Sequence, residues 1–153
     1  KEGERNTNFY ILKKGIWRAY YMIDGTESSL WFAGTGEIGF SSWGYVNNEI
    51  SQVNIESVNK STAYCIAKPD LEELFNSSIE LSNFGRKIFE QEILFIDSYT
   101  LSYSTPSATE RYLTLMEENP ELLQYVPLKH LASYLYITPQ SLSRIRAGLK
   151  RRR

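Results

Sequence analysis

Residues 127–149 read Pro-Leu-Lys-His-Leu-Ala-Ser-Tyr-Leu-Tyr-Ile-Thr-Pro-Gln-Ser-Leu-Ser-Arg-Ile-Arg-Ala-Gly-Leu. Pro127 opens a helix at its first position, where a missing N–H costs nothing. Leu128, Leu131, Ala132 and Leu135 then share one face, and Ala132 is the small residue where a second helix passes close. Tyr136 and Ile137 make the turn, with Ile137 tucked under. Thr138 is placed to cap a second helix and Pro139 to begin it. Leu142, Ile145 and Leu149 form its buried side. Two short helices, a tight turn and one apolar seam make a helix-turn-helix.

The second helix leaves Gln140, Ser141, Ser143, Arg144 and Arg146 outside, with no acid among them. The paired groups of Gln and Arg match the edges of adenine and guanine. The helix N-terminus offers backbone N–H groups to a phosphate. Lys150 and Arg151–Arg153 add four cations directly after it. Such a surface fits the major groove of duplex DNA. The competing reading is a plain amphipathic helix pair with a solvated basic tail; the seam spacing, Ala132, the Thr138 cap and the acid-free face weigh against it. Tyr136 stands where such turns favour Gly, because the backbone there is left-handed. A Tyr at that point should cost roughly 1–2 kcal/mol.

Charge is divided along the 153-residue chain. Residues 1–126 hold 10 Lys and Arg against 18 Asp and Glu, whereas residues 127–153 hold seven Lys and Arg and no acid. The net charge of -1 therefore hides a cationic C-terminal segment, which points to a polyanionic partner. A 42% hydrophobic composition with 21 aromatic residues is that of a globular protein. The one cysteine, Cys65, permits no intrachain disulfide, and a reducing, cytoplasmic compartment is expected. One Cys and one His, His130, exclude iron–sulfur and Cys-rich zinc sites, so no metal and no cofactor is expected. No apolar run approaches the ~18 residues of a membrane span, and Lys1 begins no signal peptide.

Upstream, residues 8–68 have the texture of short strands and turns. Phe9–Lys13, Ile16–Ile23, Ser29–Ala33, Gln52–Val58 and Thr62–Ala67 read as strands. In Ile16–Ile23, Trp17, Ala19, Tyr21 and Ile23 fall on one side and Arg18 on the other. Asp24-Gly25 is a hairpin signal. Pro69–Phe75 reads as a helix with Pro and acids in its first turn. A long helical pattern follows from Ile79 to Tyr103. Phe84, Ile88, Phe95 and Tyr99 form one stripe, and Phe89, Ile93, Ile96 and Tyr103 an adjacent one. That face is wider than one sheet contact needs: either the helix packs on the domain's own sheet alone, or one stripe packs there and the other on a twin subunit. Ser104-Thr105-Pro106 ends this helix. Ser107 or Thr109 to Asn119 reads as another, stopped at Asn119-Pro120 and followed by a turn holding Leu122, Leu123 and Val126.

This order of parts, with Leu131-Ala132-x-x-Leu135-x-Ile137-Thr138-x-x-x-Leu142-Ser143-Arg144, resembles the Crp/Fnr family of bacterial transcription regulators. Phe9-Tyr10-Ile11-Leu12 through Gly15 to Gly36-Glu37-Ile38-Gly39 carries the resemblance in the β-region. It implies an α+β protein with three parts. These are an antiparallel, jelly-roll-like β-roll of the cyclic-nucleotide-binding type (1–78), a dimerisation helix (79–104) and a DNA-binding domain (105–153). It also implies that first strands and a leading helix precede Lys1, and that the usual wing strands are missing after Arg153. The effector pocket carries over to Gly39, Phe40, Ser41, Ser51 and Gln52. Phe40 or Ser41 stands where cyclic-AMP-binding members have Glu, and Ser51-Gln52 where they have Arg-Ser or Arg-Thr. Without Arg, a cyclic phosphate loses its bidentate partner, so no response to cyclic AMP is expected. The β-roll is then either an unliganded scaffold or holds some other effector, of open identity, against Tyr20, Trp31 and Trp43. In the second helix Arg144 matches the family's base-contacting Arg, while Gln140 replaces an acid and changes the base preference.

The sequence thus predicts a dimeric, sequence-specific regulator of double-stranded DNA, with a near-palindromic operator and RNA polymerase as a partner. The dimer forms through residues 84–103. Lys129, Thr138, Gln140, Ser141, Ser143, Arg144, Arg146, Lys150 and Arg151 form the DNA surface. The alternative is a ligand-sensing or protein-interaction module that does not bind DNA. An enzyme is not expected: Glu72-Glu73 and Glu117-Glu118 are adjacent on helices and do not face each other. His130 is expected to be an exposed or half-buried helix residue.

Overall fold

The computed structural model describes residues 1–102 and 107–151. Among these residues six strands form two three-stranded antiparallel sheets. One has the order β4 (Ile38–Gly39), β1 (Phe9–Lys14), β6 (Thr62–Ile66); the other has β3 (Thr26–Ala33), β2 (Trp17–Ile23), β5 (Asn54–Ser57). The β2–β3 hairpin turns at Asp24 and Gly25, both with positive φ (48° and 76°), as a two-residue turn of matching twist requires. A register shift at Ala19/Tyr20 marks a bulge in the hairpin. Gly15, at φ 100°, lies against Ser61 with no room for a Cβ.

Helices follow in chain order: α1 (Ser42–Asn47), α2 (Lys68–Ser77), α3 (Ile79–Ser102), α4 (Ala108–Glu118), α5 (Pro120–Tyr125), α6 (Leu128–Tyr134) and α7 (Pro139–Lys150). The architecture is α+β with antiparallel sheets and a long helix, as expected. Strand β4 and helix α1 were not expected, and the turn after Asn119 is the six-residue helix α5. Pro127 caps α6 rather than standing inside it. The expected helix stop at Ser104-Thr105-Pro106 and the stripe position Tyr103 lie outside the described residues.

Two apolar cores hold these elements. The first joins Phe9, Tyr45 and Leu71 to Phe40, Phe75, Ile88 and Phe89, so that α2 and the first half of α3 lie on β1. The second joins Ile16 and Phe32 of the β-region to Tyr112, Leu115, Leu122, Val126, Leu131, Leu135 and Leu142. The C-terminal helices therefore share a core with the sheet. Helix α3 sits differently. Ile88 and Phe89 pack inward, while Ile93, Leu94, Ile96 and Leu101 are each more than half exposed.

Candidate nucleic-acid interface

The seam between α6 and α7 is dry. Leu131, Ala132 and Leu142 are wholly buried and Leu135 nearly so. The turn is made as the sequence predicts, with Tyr136 at φ 55°. The Ile137 N–H donates to the Ala132 carbonyl at 3.0 Å. The Tyr136 hydroxyl meets that of Tyr99 on α3, whose ring stacks on Tyr134 at 5.1 Å. Contacts of this kind offset left-handed strain. From α4, the Arg111 guanidinium donates through Nε and Nη2 to the Leu135 carbonyl (3.2 and 3.0 Å), closing the C-terminal end of α6. Thr138 caps α7, its hydroxyl accepting from the Ser141 N–H at 3.1 Å.

Gln140, Ser143 and Arg144 lie exposed along α7, with Lys150 and Arg151 beyond them and Lys129 exposed on α6. Ser141 is half-buried, with its hydroxyl 3.0 Å from that of Thr138. Arg146 departs from expectation. Its guanidinium lies over the Tyr112 ring at 5.6 Å, and its Nε and Nη2 are enclosed. The reason is helical spacing: Arg146 follows Leu142 by four residues and so shares the buried side. It belongs to the packing of α7 on α4 and not to the outer ridge.

Four of the five residues matched to the effector pocket are packed on, or bonded to, other parts of the chain. Gly39 faces Trp17, where a Cβ would come within 3.1 Å of the indole. The Phe40 ring packs on Phe9, Tyr45 and Phe89 at 5.3–6.1 Å. The Ser41 hydroxyl accepts from the Gly44 N–H as the cap of α1. The Ser51 hydroxyl donates to the Val53 carbonyl at 2.8 Å, and Gln52 is exposed. A cavity of about 270 Å³ lies elsewhere, between β1, β6, α2 and α3, lined by apolar side chains such as Ile11, Leu74, Phe84 and Ile88. Of the three candidate effector walls, Tyr20 is taken by Arg18, whose guanidinium stacks on it at 4.1 Å.

That Arg18 contact belongs to a polar cluster that reading the sequence missed. Arg18 is 1% exposed. Its Nη2 pairs with Glu27 at 2.8 Å and Glu56 at 2.7 Å, and its Nη1 meets His130 Nδ1 on α6. Beside it, the Ser133 hydroxyl donates to the Ser29 hydroxyl at 2.9 Å and accepts from the Ser29 N–H at 3.1 Å. The hydrogen bond from Arg18 holds the Glu27 carboxyl below the usual range. Burial, then the charges of Arg18 and Lys129, push His130 below the ordinary imidazole value. The one available signal was an arginine in an otherwise apolar strand.

Among the described residues no helix is long and apolar enough to cross a membrane, and no group of three or more His, Cys, Asp and Glu could hold a metal ion. No curated protein matches the chain. Solved structures do. FixK2 from Bradyrhizobium japonicum superposes with a TM-score of 0.83 at 18% identity, covering 99% of this chain and 78% of that one. A CRP-family transcriptional regulator from Thermus thermophilus gives 0.77 at 17% identity, covering 99% and 79%. A protein of the crp/fnr family from Eubacterium rectale gives 0.68 at 16%, covering 98% and 76%. At these identities the likeness is one of fold, and the fold is that of the Crp/Fnr regulators. Residues 1–78 match the cyclic nucleotide-binding domain, half of the chain, and the chain belongs to that family.

Proposed function

We propose that this chain is a homodimeric, sequence-specific DNA-binding transcription regulator that does not answer to cyclic AMP. The observation that carries the reading is the acid-free ridge of Gln140, Ser143 and Arg144, exposed on a helix whose opposite side is buried through Leu142. A ridge so held can lie along base edges without rearranging. Lys129, Ser141, Lys150 and Arg151 then bind phosphates, which fixes register but carries no sequence information. Dimerisation through α3 would set two α7 helices about one duplex turn apart, roughly 34 Å, on a near-palindrome. Against cyclic AMP stand the hydroxyls of Ser41 and Ser51, both engaged with the backbone, and Arg18, committed to Glu27, Glu56 and His130.

Selection of bound sequences from a pool of random duplex DNA tests the reading directly. A two-fold symmetric consensus supports it. A pool that returns unenriched, with no retention of duplex at low salt, overturns it and leaves a protein-interaction module in its place.

A further inference from the structure

We infer that His130 is an acid-sensitive latch: neutral, it helps hold helix α6 on the β2–β3 sheet, and protonated, it loosens that docking. Arg18 can only donate hydrogen bonds, so its contact with His130 Nδ1 requires a lone pair on that nitrogen and the proton on Nε2. Arg18 cannot move to accommodate a change. It is buried, held by Glu27 and Glu56, and laid on Tyr20. A proton added at Nδ1 therefore removes the acceptor and sets an imidazolium against a fixed guanidinium. The charged and titratable groups around the ring are Arg18 and Tyr20 on β2, Glu27 on β3, Glu56 on β5 and Lys129 on α6. Glu27, 3.5 Å from Nδ1, would welcome the proton, but it is already paired with Arg18. The ring is 11% exposed, so water does little to shield the clash.

The sign follows from linkage. Docking lowers the affinity of His130 for a proton. Docking is therefore at full strength above the ordinary imidazole value of 6.5 and weakens as pH falls through it. Nearby, the Ser29 N–H donates across the same seam to the Ser133 hydroxyl and so reports whether α6 is seated. The regulatory sense of the latch rests on the DNA-binding reading above; the latch itself does not.

His130 is the single histidine, so one imidazole resonance in the NMR spectrum of the whole chain follows its titration. Amide exchange at Ser29, corrected for its intrinsic pH dependence, follows docking. The expected result is an imidazole that titrates below 6.5, with Ser29 protection falling at least about threefold in the same pH window. In His130→Gln, which keeps a neutral acceptor and cannot be charged, Ser29 protection should stay flat from pH 8 to 5. An imidazole titrating at or above the ordinary value, protection indifferent to acid in the native chain, or the same acid dependence in His130→Gln would each overturn the latch. Neither measurement contains DNA, so its failure is separate from failure of the DNA-binding proposal.

Discussion

Helices α7 and α3 are both amphipathic, but only one is finished within the chain. On α7 the apolar residues meet α6 and α4, and Leu142 sees no solvent; what remains outside is polar and basic. On α3, Ile93, Leu94, Ile96 and Leu101 are 57–69% exposed. A contiguous apolar surface of that kind on a folded chain marks an interface. On the proposed function the two helices take different partners, one a polyanion and the other an apolar face like its own.

Five measurements would break or sharpen that contrast. Replacing both Ile93 and Ile96 by Glu removes four apolar side chains from a symmetric dimer, about 6–12 kcal/mol at 1.5–3 kcal/mol each. Sedimentation should then show a folded monomer; a dimer that persists would place the interface elsewhere. Raising salt from about 50 to 200 mM should weaken duplex binding about 10³–10⁵-fold if a dimer neutralises roughly 6–10 phosphates. A flat response would take the basic tail out of the account. Leu142→Ala should lower stability by about 2–5 kcal/mol in denaturant melts, because the seam around it has no slack. A loss under 1 kcal/mol would mean that the two helices are not locked together. Arg144→Ala should cost roughly 1–3 kcal/mol on the selected operator and relax preference at one base pair. Equal weakening on every duplex would reassign Arg144 to phosphate. The smallest change is expected of Tyr136→Phe, about 1 kcal/mol of stability for the hydroxyl shared with Tyr99.

What could be read from the residues divides along the same line. The α6–α7 unit is local, its seam, cap and turn set by spacings of three to seven residues, and Thr138, Leu142 and left-handed Tyr136 are where the pattern puts them. Arg146 was misplaced although its spacing from Leu142 was visible, because a cation was assumed to face water. The stacking of Arg146 on Tyr112 shows the alternative. Strand β4 and helix α1 are too short to leave a periodicity. The Arg18 cluster could not be read at all. Arg18 and His130 lie 112 residues apart, and no local rule says which helix will cover the outer side of β2. The width of the α3 pattern left open whether a stripe would stay outside, and did not say which residues would be spent inward.

The clasp of Arg111 on the Leu135 carbonyl has a mechanical consequence. It ties α4 to the end of α6, and the dry seam ties α6 to α7, so a shift of any one of the three helices is passed to the other two. Twelve residues of helix extend about 18 Å. Were α7 to tilt by a few degrees about its N-terminal end, its far tip would move by about an ångström or more, and Arg144, halfway along, by about half as much.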